Sequence, residues 1–246
     1  MNTPPADWIV PDWPVPAKVR ALVTTRAGGV STGPYASLNL GIAVNDDPAA
    51  VAENRRRVRA HLPAEPRWLK QVHGVGVVHA DSVTTLVEAD AAMTRTPGVV
   101  CVIQMADCMP VLLAARDGSV VGIAHAGWRG LAGGVVERTI EAMDADPASV
   151  VAWLGPAIGP DAFEVGDEVR AAFGADDAAA ARAFRPLQAG KWLADLFALA
   201  RQRLQRVGVE AVHGGGLCTV TAPTRFFSHR RDRVSGRMGA FLWIEN

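Results

Sequence analysis

The stretch ADCMPVLLAARDGSVVGIAHAGWRG, residues 106–130, holds two apolar, β-forming runs on either side of Asp117-Gly118. The runs are Pro110 to Ala115 and Ser119 to Ala126. Asp-Gly between two such runs is a strong hairpin signal, because both central residues of the favoured two-residue turn need positive φ. With that turn, the numbers of facing residues sum to 235, so Pro110 lies opposite His125 and Cys108 opposite Gly127. Cys108 and His125 are then diagonal neighbours at the open end of the ladder, roughly 7–8 Å apart at Cα. A thiolate and an imidazole placed there can reach one zinc ion, at about 2.3 Å and about 2.0–2.1 Å. The same pair also fits a nucleophile and base of a cysteine hydrolase. The plainest alternative is a buried cysteine beside an incidental histidine.

Outward from the hairpin, Val99 to Met105 is a third apolar β run, and Val19 to Thr25, Val150 to Leu154, Leu217 to Thr221 and Gly239 to Ile244 read as strands. Trp68 to His73 reads as a short strand, and Val75 to Ala80 and Ala91 to Thr94 flank a turn-rich connection. Helical signals fall on Pro48 to His61, with Asp47 as N-cap and Pro48 at the first position. They fall also on Gly127 to Met143, where Leu131, Val135, Val136, Ile140 and Met143 share a face, and on Asp167 to Phe173 and Leu193 to Val207. Gly174 to Arg182, GADDAAAAR, is a helix or a surface excursion. Intermixed helices and strands with an antiparallel pair predict an α/β protein, a single compact domain over 1–246 with mixed β-sheets layered with helices. The proline-rich residues 1–18 are expected to run extended over the surface.

The chain has 246 residues, of which 49% are hydrophobic, ample for a buried core. Twenty-five basic residues balance 25 acidic ones, so no global field holds nucleic acid or an anionic membrane, although a local cationic pocket remains open to it. No apolar stretch approaches the ~20 residues of a membrane span. The opening MNTPPADWIVPDWPVP lacks the basic and apolar regions of a secretory signal. Cys101, Cys108 and Cys218 form no CxxC pair and no disulfide framework. The expectation is a cytoplasmic monomer acting on small molecules.

The segments TTRAGGVSTGPYASLNLG, WLKQVHG, ADCMPVLLA, GIAHAGWRG, WLGPAIGP and FFSHRRD occur in that order between about Thr24 and Ile244. In this the chain resembles the YfiH/YlmD family, whose members are also described as laccase-domain polyphenol oxidases and as purine nucleoside phosphorylases. The resemblance implies a compact mixed α/β fold and a zinc ion held by His73, Cys108 and His125. His73, in LKQVHG, enters the ligand set through the resemblance, since chain order does not show that it reaches the other two. The resemblance further implies phosphorolysis of adenosine, inosine and methylthioadenosine, and deamination of adenosine. Copper at the same site, in a polyphenol oxidase, is the alternative that the family's other description raises, although six histidines are few for a multicopper enzyme. A non-enzymatic metal-binding module is a further one.

Three protein ligands leave zinc an open position, the pattern of a catalytic site. Asp107, beside Cys108, is a candidate carboxylate to brace a metal ligand or to shuttle a proton. Gln71 lies two residues before His73 and would share its face on a strand. Phosphate and the nucleoside need cations and polar anchors. The candidates are Arg26 in the loop RAGGVSTG, Asn39 in SLNLG, Arg129 at a helix start, and Ser228 and Arg230 in SHRRD. Trp128 either stacks a purine or packs the helix start. His61, His79 and His213 read as surface or loop groups, and Cys101 and Cys218 as buried strand residues.

Overall fold

The computed structural model of the chain describes residues 3–174 and 178–245. The first half carries β1 (Val19–Val23), α1 (Pro48–Arg59), β2 (Leu69–Lys70), β3 (Val77–His79), β4 (Val87–Glu88), β5 (Ala91–Thr94), β6 (Cys101–Met105), β7 (Met109–Ala115) and β8 (Val121–Ala126). The second half carries α2 (Trp128–Gly133), α3 (Val135–Met143), β9 (Val150–Leu154), β10 (Glu164–Gly166), α4 (Asp167–Ala172), α5 (Ala178–Ala181) and β11 (Phe184–Gln188). It ends with β12 (Lys191–Ala194), α6 (Leu196–Arg206), β13 (Ala211–Gly214), α7 (His229–Asp232) and β14 (Met238–Ile244).

A six-stranded sheet in the order β13-β9-β7-β8-β5-β3 forms the centre. Its end pairs β13–β9 and β3–β5 are parallel and its inner pairs antiparallel, so the sheet is mixed. Alternate residues of β7 face opposite ways. Met109, Val111 and Leu113 pack with Leu131, Val136 and Ile140 and with Leu199 and Leu204 of α6. Leu112 and Ala114 pack instead with Ile103, Ala240 and Leu242 of the antiparallel sheet β1-β14-β6. The other face of that second sheet, through Val102, Phe241 and Trp243, covers Val58 of α1 and the buried Trp8 and Leu40. The layers therefore run helix, sheet, sheet, helix, which is an α/β architecture with mixed sheets. Because β7 is buried along its whole length, its run PVLLAA has no polar face to show.

The central hairpin has the expected register, with Pro110 facing His125. Its turn differs. The Ala115 N–H donates to Val120 O (3.0 Å) and the Gly118 N–H to Ala115 O (2.8 Å), so 116–119 form a four-residue loop with Gly118 at φ +65°. The loop gained one residue on each side, which leaves the register sum intact.

Other expectations need correction. Gly127 to Met143 is two helices, because Gly134 takes φ +95° and caps α2 before α3 begins. Leu217 to Thr221 is not a strand; it contributes an isolated parallel bridge from Cys218 to Ala157. Trp68 to His73 shortens to β2. Leu193 belongs to β12 of a small antiparallel sheet, β10-β12-β11, so α6 starts later, capped by the Asp195 side chain accepting from the Ala198 N–H (2.9 Å). Within GADDAAAAR, residues 175–177 lie outside the described residues and Ala178–Ala181 is helical. Among the described residues, no helix is long and apolar enough to cross a membrane.

Candidate metal centre and its cavity

The β7–β8 hairpin delivers Cys108 just before its first strand and His125 near the end of its second. His73 arrives from the loop after β2. Its ring centroid lies 4.9 Å from that of His125. The ligating atoms of His73, Cys108 and His125 all lie within 4.8 Å of one another. Tetrahedral zinc spaces its ligand atoms about 3.3–3.8 Å apart, so a group this compact could hold such an ion. Gly127 permits the approach, since a Cβ there would sit 2.8 Å from the Cys108 Sγ.

The residue that builds this cluster escaped the sequence reading. Asp90, fully buried before β5, accepts hydrogen bonds from the N–H groups of Val72 (3.1 Å), His73 (2.9 Å) and Gly74 (2.7 Å). It also pairs with His125 Nδ1 at 2.9 Å. With Nδ1 held by a carboxylate, Nε2 is the nitrogen left for a ligand, the usual arrangement behind a metal-bound imidazole. Burial alone would raise the Asp90 carboxyl, but the hydrogen bonds from His125 and from the Gly74 and Val72 amides outweigh it and hold it below the usual carboxylate range. Burial would likewise raise the Cys108 thiol; the charge and hydrogen bonds of His125, with those of His73, pull it down instead. A thiol biased toward thiolate beside two imidazoles is a donor set that fits zinc or copper.

Five non-glycine residues among those described have positive φ, and three of them, His73 (+61°), Asp107 (+86°) and Arg233 (+62°), line one cavity. Each left-handed residue costs about 1–2 kcal/mol, and such strain concentrates at functional sites. The cavity measures about 550 Å³ and contains His73, Cys108 and His125 in its wall. Arg55, Lys70, Arg129, Arg230, Arg233 and Arg237 also line it, against one carboxylate, Asp107. A chain with no net charge has thus gathered a cationic chamber. Trp128, Phe163 and Leu86 give it apolar surface.

The candidates divide. Gln71 lines the cavity, but its amide is engaged, donating to Gln104 O and accepting from Gln104 N–H, both at 2.8 Å. Asp107 lines it too, its carboxylate accepting from the Thr219 hydroxyl (2.5 Å) and the Arg230 N–H (2.6 Å). Arg230 sends Nη1 to Glu164 O (2.7 Å). Arg129 is exposed over the Trp128 ring, with no hydrogen bond or ion pair among the described residues. Arg26, Asn39 and Ser228 are not in the cavity lining. Arg26 spends its guanidinium on Ala36 O and Pro223 O. Asn39, fully buried, binds Gly41, Asp46 and the Arg237 N–H. Ser228 caps α7 by accepting from the Arg231 N–H. These three brace loops because main-chain groups reach them first. Sequence reading also passed over Arg55, Arg233 and Arg237, which carry no local motif.

Fold and cluster define a mixed α/β protein with a ligand set fit to hold a metal. Residues 20–245 match the family model described as multi-copper polyphenol oxidoreductase laccase. The chain is 53% identical over 240 residues to a purine nucleoside phosphorylase of Pseudomonas aeruginosa, covering 97% of this chain and 99% of the relative. It is 52% identical to the purine nucleoside phosphorylase YfiH of Escherichia coli, covering 96% and 98%. A solved structure of a Neisseria meningitidis protein matches with TM-score 0.94 at 48% identity, covering 98% of this chain and 100% of that one. The chain belongs to the YfiH/YlmD family.

Proposed function

We propose that this chain is a zinc-dependent purine nucleoside phosphorylase, acting on adenosine, inosine and methylthioadenosine, that also deaminates adenosine. We read it as a cytoplasmic monomer. The observation that carries the reading is one chamber holding both the His–Cys–His cluster and an excess of cations. The names of relatives at 52–53% identity support it.

His73, Cys108 and His125 would hold the metal, which when bound supplies a Lewis acid with an open coordination position. In phosphorolysis a phosphate oxygen bonds to C1′ of the ribose while the bond from C1′ to the base breaks. The base leaves with the electron pair and takes up a proton. Phosphate is a weak nucleophile, so positioning and charge stabilisation by the arginines supply most of the acceleration. Trp128 and Phe163 offer apolar faces to a purine and exclude water. Asp107 keeps the Cys108 loop in place through Thr219 and the Arg230 amide.

The test is to quantify bound metal in purified protein and incubate it with adenosine, with and without phosphate, beside Cys108→Ala. The reading expects about one zinc per chain, adenine and ribose 1-phosphate only with phosphate, inosine without it, and none of these from the variant. Zinc-loaded protein that yields neither product overturns it.

One further observation favours a second reading. Cys108, His125 and Asp90 stand in the order nucleophile, base and orienting carboxylate. A cysteine hydrolase would be alkylated at Cys108 and lose turnover whether or not metal is present. Protection of Cys108 by bound zinc favours the metal reading. The laccase description is tested by phenol oxidation with copper-loaded against zinc-loaded protein. The described residues offer one cluster of three ligands, fewer than a multicopper site needs.

A further inference from the structure

Six cations line the chamber, but they are not equivalent. Lys70 is neutralised by Glu88 at 2.8 Å, Arg129 and Arg233 are exposed, and Arg230 is held by a single carbonyl, Glu164 O, in an exposed contact. Arg55 and Arg237 are different. Both are anchored on the same short piece of backbone. The Arg55 Nε donates to Leu40 O at 2.9 Å, and its guanidinium lies 3.7 Å from the centre of the Trp68 ring. The Leu40 N–H donates to Arg237 O at 3.0 Å, and the next residue, Gly41, runs against the Arg237 side chain. A Cβ on Gly41 would sit 2.8 Å from the Arg237 Cγ. The Arg237 Nη1 is fastened to Ser235 O (2.8 Å) and Gly236 O (3.1 Å).

Main-chain carbonyls fix these guanidinium groups in place without neutralising them. Among the described residues neither forms an ion pair, and the Arg55 Nη2 is buried with no hydrogen-bond partner. A desolvated guanidinium with an orphan donor is costly unless an anion completes it. Two planar forks, already immobilised, match the oxygens of a tetrahedral anion and pay little rotamer entropy on binding. Arg55 and Arg237 both line the chamber whose wall also holds Cys108 and His125.

We propose that Arg55 and Arg237, held on the Leu40–Gly41 backbone, form the seat for inorganic phosphate in the chamber, in place of the Arg26 loop. This deepens the phosphorolysis reading and rests on it for the role of the seat, though not for its existence.

The experiment uses metal-loaded full chain, titrated calorimetrically with inorganic phosphate, alongside separate KM values for phosphate and nucleoside. Arg55→Gln and Arg237→Gln are expected to weaken phosphate binding at least about tenfold, the worth of a charge-assisted contact, and to raise the phosphate KM far more than the nucleoside KM. Gly41→Ala keeps both charges but displaces Arg237, so it is expected to act in the same direction less strongly. It also keeps the test decisive should Arg237→Gln fold poorly, with circular dichroism and metal content as controls. Phosphate affinity that survives Arg55→Gln and Gly41→Ala and is lost in Arg129→Gln overturns the assignment. Wild-type protein that binds no phosphate at millimolar concentration overturns it as well. Wild-type protein that binds phosphate through these arginines but forms no ribose 1-phosphate sustains the seat and defeats the phosphorolysis reading.

Discussion

Two fully buried polar side chains organise loops in this molecule, and they do so for different ends. Asn54, on α1, accepts from the Val30 N–H (2.8 Å) and donates to the Ser31 hydroxyl, Ser37 O and Asn39 O (2.9, 3.2 and 2.9 Å). Asp90 gathers three consecutive amides and the His125 ring. Asn54 faces donors and acceptors together, which a neutral amide satisfies by itself. Asp90 faces donors alone, and one of them is a titratable ring. A buried carboxylate is costly, so its presence marks a place where charge on a neighbouring group matters. The network around Asn54 holds a loop, whereas the network around Asp90 prepares a site.

The largest expected effect is that of Asp90→Ala. It breaks a buried pair and frees three amides, so stability should fall by about 3–5 kcal/mol in denaturant titration. Zinc affinity, read against a chromophoric chelator, should fall about 10–100-fold. Asp90→Asn, which retains the volume, should fold better yet still bind zinc more weakly. Unchanged zinc affinity in both variants would break the contrast. Asn54→Ala comes next, with a loss of about 2–4 kcal/mol from its hydrogen bonds and the cavity left behind. Its zinc affinity should match wild type, because the loop it holds contributes no ligand.

The contrast also explains what was legible in the sequence. The β7–β8 register was readable because it depends on local turn chemistry and survived a turn two residues longer than expected. The proximity of Cys108 and His125 followed from it, and only the family resemblance brought His73 to them. The helix break at Gly134 had a visible signal in the pair Gly133-Gly134 that the apolar spacing across it concealed. Asp90 had none. It meets His125 across 35 positions, and the segment VEADAAM carries no pattern that separates it from a surface acid. Arginines were hardest to place. Arg26 looked like a ligand-binding residue and became a brace, while Arg237 sits in an ordinary stretch, SGRMGA, and faces the chamber. Where a long flexible cation ends depends on which carbonyls reach it first, and that is decided by tertiary structure.

Asp107 supplies a third case that sharpens the comparison with the smallest change. Like Asp90 it is a buried carboxylate facing donors, here the Thr219 hydroxyl and the Arg230 amide, but it holds no ligand ring. Thr219→Val removes one donor at nearly constant volume and leaves one carboxylate oxygen without its partner. The expected cost is about 1–2 kcal/mol of stability. If charge matters only where it meets a ligand, zinc affinity should shift by less than about threefold, far below the effect of Asp90→Asn. Nucleoside and phosphate KM values would then report whether the Cys108 loop has moved. A loss of zinc as large as that in Asp90→Asn would show that Asp107 shares the work of Asp90, and the division between the two carboxylates would be wrong.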